Sequence, residues 1–129
     1  MVKTPRDGYT APAPLRDMQR TDGWRRTSDS TALDGSEWTS TSKGDRFTVK
    51  TSGKSVGWVT STGPHRGRAD VVVNGRVVDT VNLYSPQRRS TRVVWTAMTD
   101  KNETTRVTII NRSRASRPTI GVDTVLVQN

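Results

Sequence analysis

The sequence predicts an all-β fold, a two-sheet antiparallel β-sandwich of eight or nine strands with jelly-roll connectivity. Three observations carry this expectation. The stretch ADVVVNGRVVDTVNL sets two valine-rich runs around Asn74-Gly75, the dipeptide that most readily takes the left-handed angles of a two-residue hairpin turn. Downstream of Trp24, polar turns cut the chain into short segments of alternating apolar and polar residues. No helical period lies between them, which argues against parallel βαβ units. Finally, only 30% of the 129 residues are hydrophobic, and Val and Thr outnumber Ala and Leu. A thin core between two sheets about 10 Å apart meets that constraint.

Residues 1–23 contain Pro5, Pro12 and Pro14 and are expected to be a linker or a packed N-terminal arm, preceding a sandwich domain at 24–129. The first strand is predicted over 24–28 and the second over 37–41, carrying Trp38. Segment 46–50 points Phe47 and Val49 one way and Arg46, Thr48 and Lys50 the other, the alternation of a half-buried strand. Segment 55–60 places Val56 and Trp58 on one face, and the loop Gly63-Pro64-His65-Arg66-Gly67 leads into the hairpin. Over 91–97, Val93 and Trp95 share a face, so Trp58 and Trp95 are expected in the core. Segment 105–111 sends Val107 and Ile109 inward. The basic loop with Arg112, Arg114 and Arg117 then leads to a last strand over 119–127, apolar on both faces and therefore central in its sheet.

Composition excludes several function classes. There is no cysteine, so disulfides, thiolate metal sites and cysteine nucleophiles are out. No stretch reaches the length of a membrane-spanning helix, no membrane insertion is expected, and an export signal would have to lie upstream of Met1. No GxSxG, HExxH, phosphate-loop or dinucleotide fingerprint occurs, and no enzyme activity is predicted. The net charge of +9 favours anionic partners, but basic residues never run longer than the pairs Arg25-Arg26 and Arg88-Arg89, so nucleic acid is not an expected partner.

The order of motifs resembles the galactose-binding-like jelly rolls that serve as carbohydrate-binding accessory modules in secreted bacterial, especially actinobacterial, enzymes. The matching pieces are SVGWV at 55–59, GPHRG at 63–67, ADVVVNGRVVDTVNLYS at 69–85, RVVW at 92–95, TRVTII at 105–110 and IGVDTVLV at 120–127. Two positions depart from the family pattern. Thr104-Thr105 stands where a glycine-histidine pair is common, and Asn74 replaces the usual turn aspartate. The resemblance implies an extracellular or cell-surface location and an attachment role without catalysis.

Sugar recognition uses an aromatic face against the apolar side of a ring and polar groups that bridge hydroxyls. The candidate ligand residues are accordingly Trp24 and Trp38 in the less regular N-terminal third, His65 in the glycine-bounded loop, and Tyr84 with Arg88 and Arg89 beyond the hairpin. A loop aromatic beside guanidinium forks suits an acidic sugar, whose carboxylate they match bidentately. No cofactor is predicted. Structural calcium is the one ion left open, with Asp29, Asp34 and Glu37 as weak ligands, although calcium needs six to eight oxygens and no compact acidic loop is present. Asp123, the one carboxylate of the last strand, is expected to bond a backbone amide or an arginine.

These residues predict a non-catalytic module that binds polysaccharide or acidic cell-wall polymer, or that docks beside other domains of its parent protein. The alternative is a structural protein–protein assembly module, such as a surface-layer, capsid-decoration or tail-fibre component.

Overall fold

The computed structural model describes the backbone of residues 11–12 and all of residues 18–33 and 35–128. Within them, twelve strands form three sheets whose strand pairs are all antiparallel. The first sheet runs β1 (Ala11–Pro12), β12 (Thr124–Gln128), β6 (Ser55–Thr62), β9 (Arg89–Met98). The second runs β2 (Gln19–Arg20), β5 (Arg46–Thr51), β10 (Thr105–Asn111), β7 (Arg68–Val73), β8 (Arg76–Asn82). The third holds β11 (Ile120–Val122), β4 (Ser36–Ser40) and β3 (Arg25–Ser28).

The expected antiparallel sandwich is therefore present, but with more strands than eight or nine and with three sheets in place of two. The last strand explains the extra sheet. Asp123 interrupts it: its N–H donates to Val59 O at 2.9 Å, and its Oδ2 accepts from Leu33 N at 2.7 Å. Upstream of that residue the chain pairs with β4, and downstream with β6. One predicted strand thus serves two sheets, and the backbone partner expected for Asp123 is the hinge between them.

One face of the second sheet supplies Phe47, Val49, Val71, Val107 and Ile109 to a single core. Opposite lie Val56, Trp58, Trp95, Val125 and Val127 of the first sheet and Ile120 and Val122 of the third. Trp58 is fully buried, and its indole N–H donates to Gly121 O at 3.1 Å, which satisfies the polar edge of an otherwise apolar ring. Each fully buried side chain of this size stabilises the fold by about 1.5–3 kcal/mol.

The hairpin turn forms as read, with Asn74 at φ 51° and Gly75 at φ 86°. Asn74 also closes onto β10 by accepting from Arg106 N at 2.8 Å. β8 ends its sheet, so Val77 and Val78 are exposed and Val81 is the one residue of the strand that is buried.

Strand β9 brings a second difference. Trp58 pairs with Trp95 and Val59 with Val93, leaving Val94 as an extra residue. The bulge turns Val93 away from Trp95 and into a small separate cluster with Val59 and Leu126. Of the predicted N-terminal arm, Ala11–Pro12 pairs with β12 and Gln19–Arg20 with β5; residues 1–10 and 13–17 lie outside the described residues.

Candidate functional site

Loops 63–67, 83–88 and 112–119 meet at one end of the sandwich and are braced to one another by backbone bonds. Gly63 N donates to Leu83 O at 3.1 Å, Leu83 N to Gly67 O at 2.8 Å, and Gly67 N to Thr119 O at 2.8 Å. Gly67 is required at the crossing, because a Cβ there would overlap Ser113 Oγ and the carbonyl of Arg117. The site is thus carried by loops held on a rigid scaffold.

Tyr84 projects from this end, 41% exposed, and the guanidinium carbon of Arg117 lies 4.5 Å from its ring centroid. Beside the pair is a groove of about 290 Å³ lined by Gly67, Arg68, Thr80, Asn82, Arg114 and Arg117. Thr80 and Asn82 occupy the side of β8 opposite the buried Val81. Charge is distributed unevenly among the local arginines. Arg112 is neutralised by Asp70 at 3.2 Å, whereas Arg68, Arg114 and Arg117 have no ion-pair partner among the described residues. Three guanidinium groups, two short polar side chains and an exposed ring can hold a hydroxylated ligand that carries carboxylates.

The structure distributes the sequence candidates differently from the sequence reading. Trp24 is buried in the core, edge-on to Phe47 at 5.1 Å, with its Nε1–H on Arg46 O at 2.9 Å, so it offers no open ring face. Trp38 is half-buried against the same core, and Arg20 lies 4.0 Å over its ring. His65 is exposed, and its backbone carbonyl accepts from Thr119 N. Arg88 and Arg89, read as a pair beside Tyr84, part company. Arg88 pairs with Asp29, its Nη2 also 4.0 Å from Glu37 Oε2, while Arg89 lines a cleft between β8 and β9. The aromatic partner expected of Arg88 belongs to Arg117 instead.

Buried Glu37 and half-buried Asp29, joined through Arg88, form a polar network that the sequence reading missed. Glu37 Oε1 accepts from Thr60 Oγ1 at 3.0 Å and from Arg66 Nη1 at 2.6 Å, and its Oε2 accepts from Ser61 Oγ at 2.7 Å. Asp29 accepts from the backbone and hydroxyl of Thr31 and from Arg88. The Thr31 hydroxyl, and after it the Arg88 guanidinium, hold the Asp29 carboxyl down at about 2. Tested as calcium ligands, these two do not fit: their oxygens already accept from protein donors, and the neighbouring positive charge is guanidinium. Asp34 lies outside the described residues. Among those residues, no group of three or more His, Cys, Asp or Glu could hold a metal ion.

The fold is like that of a carbohydrate-binding module. A GH26-CBM35 β-(1,4)-mannanase from Podospora anserina superposes with a TM-score of 0.64 at 17% identity, over 96% of this chain. This chain spans 28% of that mannanase's length. A family 35 carbohydrate-binding module from Clostridium thermocellum gives a TM-score of 0.61 at 10% identity, with 97% of this chain and 96% of that one covered. A CBM36 module, solved with calcium and xylotriose, gives 0.54 at 14% identity, with 90% of this chain and 98% of that one covered. No protein-family model matches the sequence, and neither does any curated protein. At these identities the likeness establishes fold alone.

Proposed function

We propose that the protein is a non-catalytic module that binds an acidic polysaccharide outside the cell and holds a parent protein against it. The observation that carries this reading is the Tyr84–Arg117 stack beside the groove of Arg68 and Arg114. The ring supplies a flat, conformationally inexpensive contact for a sugar face. The guanidinium forks supply paired donors for carboxylates, and no acidic side chain among the described residues offsets their charge. The sequence resemblance to galactose-binding-like accessory modules and the carbohydrate-binding-module-like fold support the same role and an extracellular or cell-surface location.

The assembly-module alternative draws less support. Large apolar side chains exposed among the described residues are Leu33, Val77, Val78, Tyr84 and Met98, spread over separate stretches of the chain.

Affinity electrophoresis against neutral glycans, acidic wall polymers and DNA, at low and high salt, tests the proposal. An acidic glycan is expected to retain the protein at high salt, and Arg114→Ala with Arg117→Ala to abolish that retention. Retention of every polyanion at low salt alone would reduce the arginines to a generic charged surface, and no retention by any glycan would sink the reading.

A further inference from the structure

The sandwich is open along one side. β9 ends the first sheet and β8 the second, and between these free edges lies a cleft of about 420 Å³. Its walls are Val81 and Asn82 of β8 and Arg89, Arg92, Val93 and Val94 of β9. Arg92 Nε is buried and makes no hydrogen bond, the one side-chain nitrogen or oxygen of its kind among the described residues. Buried guanidinium N–H groups ordinarily find an acceptor, because the solvation lost on burial is otherwise uncompensated. The orphaned donor belongs to a side chain that lines the cleft, and an acceptor brought by a ligand satisfies it once the guanidinium turns toward the opening.

The backbone of β9 is shaped to present these groups. Besides the bulge at Val94, the register shifts again where Thr60 pairs with Arg92 but Thr62 pairs with Arg89, so that Ser90 and Thr91 together stand against Ser61. Thr91 sits at φ 56°, a left-handed conformation that β-branched residues rarely adopt, and its hydroxyl is anchored on Thr31 O. Strain of this kind persists where surrounding structure holds it, and it gathers at ligand clamps. Here it falls between the two arginines of the cleft.

We infer that the cleft between β8 and β9 is a second subsite, which takes a carboxylate-bearing sugar unit on Arg92 Nε and Arg89, with Val81 and Val94 against the apolar face of the ring. The inference rests on the acidic-polysaccharide reading. Neither arginine has an ion-pair partner among the described residues. Asn82 lines both this cleft and the groove beside Tyr84, so the two sites are neighbours at the end of β8, close enough for one acidic chain to be offered to both.

The test is NMR titration of the protein with monomeric galacturonate and with α-1,4-linked tetragalacturonate, observing backbone amides and arginine Nε–H signals. Both ligands are expected to move Arg92 Nε–H and the amides of Asn82 and Val94. Arg89→Ala, at an exposed position, is expected to weaken tetragalacturonate binding about tenfold, the effect of one charge-assisted contact, with an unchanged melting temperature. If Arg92 Nε–H stays still while tetragalacturonate moves Gly67 and Arg114, the second subsite is overturned and the Tyr84 groove stands. If neither set moves, the acidic-polysaccharide reading falls with it.

Discussion

Arg66 Nη1 meets Glu37 Oε1 at 2.6 Å in a pair whose side chains are 13% and 4% exposed. Two hydroxyls, those of Thr60 and Ser61, also donate to the carboxylate, and Arg88 Nη2 lies 4.0 Å from its Oε2. Removing one partner of a buried pair leaves the other charged and uncompensated, which costs about 3–5 kcal/mol. Arg66→Ala is therefore expected to lower urea-unfolding stability by an amount in that range. A loss under about 1 kcal/mol, the level of a surface ion pair, would show that the pair is not effectively buried. Gly121→Ala should act through the same pair, since the added Cβ would overlap Glu37 Oε1 and Arg66 Nη1.

Because guanidinium groups neutralise Glu37 and Asp29, the melting temperature is expected to be the same in EDTA and in millimolar calcium. Calcium stabilises a fold by binding the native state alone, in proportion to its occupancy. A rise of several degrees with calcium would place an ion on carboxylates other than these two.

Asp29 carries a pH dependence of definite sign. Its folded pKa of about 2 lies below the ordinary value of 3.8, so the unfolded chain binds the proton more tightly. The stabilisation is fully present above 3.8 and is lost as pH falls through about 2. Melting curves of the native protein and of Asp29→Asn should converge across that window; curves that run parallel would remove Asp29 as the cause. Thr31→Val should raise the Asp29 pKa more than Arg88→Ala does, because the Thr31 hydroxyl is the largest contributor. Arg88→Ala should also cost stability, whereas Arg117→Ala should weaken acidic-glycan binding and leave melting unchanged.

Deleting residues 125–129 is expected to unfold the domain. Val125, Leu126 and Val127 are 1%, 2% and 9% exposed, and their strand lies between β1 and β6. Their burial is worth about 1.5–3 kcal/mol each, against a typical total stability of about 5–15 kcal/mol. Circular dichroism of the truncated chain reads the outcome directly, and a retained cooperative melt would show that β12 is dispensable.

The strands were legible in the sequence because alternation and turn chemistry act within a few residues. Phe47 and Val49 face inward as read, Trp58 and Trp95 lie in the core, and Asn74-Gly75 makes the hairpin turn. Local pattern misjudged positions that depend on neighbours. Val93 left the face of Trp95 because a bulge adds one residue, and a period of two cannot show where an extra residue falls.

The site was less legible than the fold for the same reason. By itself the sequence determined an antiparallel β-sandwich with a central hydrophobic C-terminal strand, a surplus of arginine and no cysteine chemistry. Only the tertiary structure decided which arginine serves which partner. Arg117 reaches Tyr84 across two loops, Arg88 goes to Asp29, and Arg92 lines an open edge with its Nε buried and without an acceptor. Pairing of charges and rings depends on distances between segments far apart in the chain. Those distances are set by sheet order and by the break at Asp123, not by any local spacing of residues.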